Sequence, residues 1–210
     1  MAVLALADWQ GMLPGPGAQR SSAQAPGTCA NRIAVAAGSI QMLGNLNATA
    51  TVLGSAITYG PTPDAPIDVY VDLSTDGGAH WSTMFDAAPV SANAGDVLHS
   101  LAPGDQLVVR IHELFKRKGW LSWDQTAQSN DGTRRIFVLR NGDALPPFPN
   151  LAAPSYASLP TFLRNVISQS TMKVNVGLYD VLILTEQQGL DQSADFQDAA
   201  LLLQFGTPVC

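Results

Sequence analysis

IDVYVDLSTDGGAHW, residues 67–81, decides the reading of the fold. Ile67, Val69, Val71 and Leu73 fall on one side of an extended chain, and Asp68, Tyr70 and Asp72 on the other. A period of two with one apolar side is a β-strand with one buried face. The run breaks at Ser74-Thr75-Asp76-Gly77-Gly78, where Asp and Gly supply the backbone angles of a tight turn. Trp81 then lies on the returning strand, so the stretch predicts a β-hairpin with more sheet packed around it.

Working outward, the same pattern recurs. Ile33, Val35 and Ala37 alternate until Gly38 interrupts, and residues 46–53 (LNATATVL) form a Thr-rich, partly alternating run. LVVRIHE at 107–113 is a second alternating strand, entered through Pro103-Gly104-Asp105. RRIFVLR at 134–140 is a third, bounded by Asn130-Asp131-Gly132 and Asn141-Gly142-Asp143. Asn93-Ala94-Gly95-Asp96 reads as a loop. Residues 172–185 read as one long strand or two short ones. Within them Val181-Leu182-Ile183-Leu184 is continuous rather than alternating, which predicts burial on both faces. Residues 201–205 make a last strand. One helix is expected over 159–168, with Ser158 as its cap, Pro160 in its first turn, and Phe162 and Val166 on its apolar stripe. Turns at these intervals belong to sandwiches and barrels. The expected fold is mainly β: a single β-sandwich or jelly-roll-like domain over 33–210, preceded by an extended N-terminal arm over 1–32. The arm holds Pro14-Gly15-Pro16-Gly17 among Ser, Ala, Gln and Gly, too little apolar material for a core.

Composition narrows the function. The chain has 210 residues, 46% hydrophobic, enough for a substantial core, but only 13% charged. Lysine is confined to Lys116, Lys118 and Lys173. A surface this poor in charge is covered by small polar residues or by neighbours. The net charge of −6 argues against nucleic acid as the main ligand, since phosphate contacts need clustered Lys and Arg. No run of apolar residues is long enough to span a bilayer. The opening MAVLALADW lacks the basic region of a signal peptide, which suits a protein made in the cytoplasm and built into a particle. Cys29 and Cys210 lie near the two ends. A disulfide between them, free thiols and an intersubunit bridge are all open.

Residues 74–81 match S-x-D-x-G-x-x-W, and there the chain resembles the Asp-box hairpin of sialidase-like propellers. The resemblance implies that Asp76 caps the turn through backbone amides, that Gly78 permits the bend and that Trp81 packs beneath it. One box stands here where those propellers carry several. It therefore brings a role in the turn and neither the propeller nor glycosidase chemistry. Near the end, Asp191, Asp195 and Asp198 could converge on one hard cation, because calcium takes several oxygens from a flexible loop. That segment looks like the calcium loop of some secreted bacterial β-sandwich domains, with Gln197 where Asn is usual and Ala194 between Ser193 and Asp195. A polar loop with Asp191 or Ser193 capping a short turn is the other reading. Trp120 and Trp123, with Lys116 to Lys118 nearby, are read as an aromatic pair on one face: a platform for glycan or a protein partner, or core tryptophans. His80, His99 and His112 share no metal-ligand spacing, and no nucleophile elbow, phosphate loop or dinucleotide fingerprint occurs.

These observations lead to the expectation of a non-enzymatic structural subunit of a larger assembly, a capsid, decoration or tail component of a bacteriophage or virus. Its partners would be copies of itself and other particle proteins, with neither nucleic acid nor membrane. The alternative is an extracellular, calcium-dependent binding module contacting glycan or protein through Trp120 and Trp123.

Overall fold

The structure is a computed structural model that describes residues 32–55, 67–87, 94–117, 120–146, 159–187 and 198–206. Its strands are β1 (Ile33–Ala36), β2 (Ser39–Met42), β3 (Leu46–Gly54), β4 (Asp68–Ser74), β5 (Ser82–Ala87), β6 (Ala94–Leu101), β7 (Gln106–Arg117), β8 (Trp120–Gln128), β9 (Ile136–Arg140), β10 (Val181–Thr185) and β11 (Ala199–Phe205). They form two antiparallel sheets. The first runs β1-β2-β7-β4-β5, with β8 also on β7; the second runs β6-β3-β11-β10-β9. The fold is a β-sandwich.

The hairpin 67–81 is present as β4 and β5, but the hub of its sheet is β7. Val108 to Leu114 of β7 pair with β4, and Arg110 to Arg117 pair with β8 on the other edge. Gln106 turns its backbone N–H and C=O to Thr75 and Gly77 at the end of β4, while Leu107 pairs with Ile40 of β2. β2 and β8 therefore follow one another along a single edge of β7.

Alternation assigns the faces. Leu107, Val109 and Ile111 of β7 and Val69, Val71 and Leu73 of β4 are buried. They meet Ala48, Ala50 and Val52 of β3, Val181 and Ile183 of β10, and Leu201, Leu203 and Phe205 of β11 in one core cluster. Burial of apolar side chains from both inner faces is what holds such a sandwich together. β10 is buried along its whole length, as its unbroken apolar run predicts. Leu182 and Leu184 point away from the main core, into a second cluster with Leu159, Leu163, Val166, Ile167 and Val174. Residues 159–176 thus lie as a cover across the outer face of the second sheet.

That cover is where the helix was expected. It contains a 3-10 turn, Thr161–Leu163, with Pro160 at its start and no side-chain cap. Ser158 lies outside the described residues. The apolar spacing that reads as a helix stripe is used instead to press a turning chain onto the sheet. Residues 172–180 add only isolated bridges, Lys173 with Ala144 and Val174 with Ile167, before the single strand β10. Residues 94–96, read as loop, begin β6, which lines the edge of β3. The arm lies outside the described residues apart from Arg32, whose carbonyl accepts the Leu43 N–H at 2.7 Å. Cys29 and Cys210 also lie outside them.

Candidate functional site

The turn between β4 and β5 is a closed hydrogen-bond system. Asp76 Oδ1 accepts the backbone N–H of Ala79 at 3.0 Å and of His80 at 2.9 Å, and the Ser74 hydroxyl at 2.7 Å. Ser74 Oγ in turn accepts the N–H of Gly78 at 2.8 Å. Gly77 and Gly78 hold φ of 78° and 104°, the left-handed region that glycine enters without penalty. The His80 amide, then the His80 ring and the Ser74 hydroxyl, hold the Asp76 carboxyl well below the usual carboxylate range. Its Oδ2 lies 2.6 Å from His80 Nδ1.

Beyond this turn, the outward face of the first sheet carries a row of paired groups. Arg110 reaches across from β7 to Asp72 on β4, with Nε 2.9 Å from Oδ2. Its guanidinium lies 4.3 Å from the centre of the Trp81 ring, within cation–π range. Two residues along β7, His112 stacks on Tyr70 with ring centroids 5.5 Å apart. His112 Nε2 meets Asp124 Oδ1 of β8 at 2.8 Å. Cross-strand register sets these contacts: Tyr70 lies opposite His112, and Asp72 opposite Arg110.

The inward face ends differently. Glu113 continues the row Leu107, Val109, Ile111 and is fully buried. Glu186, Gln187 and Asp198, at the end of β10 and the start of β11, are buried as well. Trp123 Nε1 donates to Glu113 Oε2 at 3.2 Å. Gln187 donates its backbone N–H to Asp198 Oδ2 and its Nε2 to the Ile111 carbonyl, the latter at 3.0 Å. Burial, followed by the negative charge of Asp198, pushes the Glu113 carboxyl up to about 9. Glu186 adds to the rise; the Trp123 bond and the charge of Arg135 oppose it.

Two residues singled out separately in the sequence meet here. Trp123 packs against the main core, and its indole N–H serves Glu113. The negative charge of Asp198 acts on the same carboxyl. Asp191 and Asp195 lie outside the described residues, as does the side chain of Trp120. Glu113 was missed as a site residue. The signal was its phase, because a carboxylate two residues beyond Ile111 on an alternating strand must point inward. His80 and His112 are partly or fully exposed, while the His99 side chain lies outside the described residues. Among the described residues no three acidic, histidine or cysteine side chains gather as a metal cluster. Also among them, no helix is long and apolar enough to cross a membrane.

By architecture the chain belongs to the antiparallel two-sheet β-sandwiches. Comparison with family models, curated proteins and solved structures gave no match.

Proposed function

We propose that this protein is a non-enzymatic structural subunit of a larger assembly, of the kind that builds phage or virus particles. The observation that carries the reading is the outward face of the first sheet. Trp81, Tyr70 and Arg110 are the residue types that anchor protein interfaces, and they lie side by side on a regular sheet rather than in a cleft. Their ionisable neighbours are already paired, Arg110 with Asp72 and His112 with Asp124. A paired charge costs less to cover than a lone one, because its partner replaces part of the lost water. The low charge of the chain supports the same reading, and the net −6 disfavours nucleic acid as the partner. The neighbours are further copies of the chain and other particle proteins.

Size-exclusion chromatography with light scattering on the full chain tests this. The reading expects oligomers that grow with concentration, and a shift to monomer when Tyr70→Ala and Trp81→Ala are combined. A wild-type monomer at every concentration contradicts it.

A further inference from the structure

β9 is an edge of the second sheet. Among the described residues it pairs with β10 alone, in unbroken register from Ile136 opposite Thr185 to Arg140 opposite Val181. In an antiparallel pair, successive residues turn their backbone groups to opposite sides. The Glu186 N–H donates to the Arg135 carbonyl, so Arg135, Phe137 and Leu139 face β10. Ile136, Val138 and Arg140 then face outward. Arg140 is satisfied by its own turn: its N–H donates to Asp143 Oδ2 at 2.7 Å, and its carbonyl accepts the Asp143 N–H at 3.1 Å. The outward N–H and C=O of Ile136 and Val138 have no partner strand among the described residues. β9 also lines one side of a cavity of about 440 Å³. Its other walls are the β1–β2 turn at Ala37 and Gly38 and the β8–β9 loop at Ser129, Asn130 and Arg134. Native edges are blunted by proline, lysine or a bulge, and β9 has none of these.

Four edge groups spaced for a strand call for a strand. β9 contributes to two cores, Ile136 and Val138 to the main cluster and Phe137 and Leu139 to the cluster under the cover. A strand beside it must therefore be apolar on both faces and free of proline. The longest apolar run outside the described residues is 1–7, MAVLALA, and it contains no proline. Asp8 follows directly, and no Lys or Arg precedes Arg20. Arg134 and Arg140 stand at the two ends of β9, so Asp8 falls beside an arginine whichever way the added strand runs. Reach favours the same chain over a neighbour. From Arg32 along β1 to Gly38, in the wall of the cavity, is roughly 20 Å at the rise of a strand. Residues 9–31 separate the apolar run from Arg32. A linker of that length spans roughly 24–29 Å. When linker and span match in this way, the effective concentration is of millimolar order, which a second copy must exceed. We propose that residues 2–8 add to β9 of the same chain as the outer strand of the second sheet. This edge is separate from the assembly face, since Tyr70 and Trp81 belong to the β4–β5 hairpin of the first sheet.

Amide hydrogen exchange of the full chain, resolved by NMR, tests this at the Ile136 and Val138 N–H groups. Both are expected to be protected, equally in dilute and in concentrated solution. Leu4→Asp combined with Leu6→Asp should speed their exchange at least tenfold and leave the Ile183 amide of β10 unchanged, which shows the sheet intact. Asp8→Arg keeps the apolar run and should speed exchange several-fold; it decides if the double variant does not fold. Fast exchange of both amides in wild type overturns the proposal. Protection that these variants leave unchanged, the mark of another occupant, also overturns it. So does protection that grows with protein concentration, the mark of a strand from a second copy.

Discussion

Glu113 and Asp198 belong to opposite sheets, yet their carboxyl groups act on one another inside the sandwich. Each is buried. This pair makes the interior polar at the one end where β7, β10 and β11 come together.

Stability should fall as pH rises. Folded Glu113 holds its proton up to about 9, whereas the unfolded chain releases it near its ordinary value of 4.5. Between those values the folded state binds more protons, so raising the pH favours unfolding. The contribution is complete below the unfolded value and is lost on passing through the folded one. Groups facing Glu113 are Asp198 and Glu186, which raise its pKa, and Arg135 and Trp123, which lower it. Urea unfolding from pH 5 to 9.5 should show a loss of several kcal/mol in wild type, as an order of magnitude. Glu113→Gln should flatten that slope.

The 74–81 turn offers the opposite dependence. Asp76 is held ionised by His80 and Ser74, so its contribution is present above the ordinary carboxylate range and disappears as pH falls. Asp76→Ala should lower Tm at pH 7, and the deficit should shrink progressively as pH falls below the ordinary carboxylate range. Ser74 is buried and bonds both Asp76 and Gly78, so Ser74→Ala should cost about 1–2 kcal/mol by urea unfolding at pH 7.

Gly38 should tolerate no side chain. Ala37 and Gly38 both have positive φ, 47° and 76°, as a two-residue hairpin turn of the mirror-image type requires. A Cβ at Gly38 would lie 1.6 Å from the Ser129 carbonyl oxygen, which is backbone and cannot swing aside. Gly38→Ala should destabilise by about 2–4 kcal/mol in equilibrium unfolding.

The cover over the second sheet should carry stability of its own. Leu163 and Leu182 are fully buried in the same cluster. Truncating either to alanine should cost about 2–5 kcal/mol. The double variant should cost less than the sum, because both empty one region.

The parts of this fold that could be read from residues are those where pattern and burial coincide. Val69, Val71 and Leu73 announce β4, and the run Val181 to Leu184 announces a strand covered twice. β6 was hidden because Asn93-Ala94-Gly95-Asp96 has turn chemistry, while pairing with β3 decides its conformation. The spacing of Phe162, Leu163 and Val166 reads as a short helix over 159–168, and what forms there is the shorter 3-10 turn Thr161–Leu163. The same spacing serves a turning segment whose apolar residues all meet a sheet. The buried acids were half legible. Trp123 and Asp198 stood out by type, but what joins them is Glu113, visible only once its strand phase is followed past Ile111.

On the assembly reading proposed above, the outward sheet face is covered by neighbouring subunits. Hydroxyl-radical footprinting of the full chain, dilute and then concentrated, reads that face directly. Oxidation of Trp81 and Tyr70 should fall as the chain associates, while exposed Leu178 remains reactive. Association with Trp81 and Tyr70 as reactive as in dilute solution, or no association at all, contradicts it.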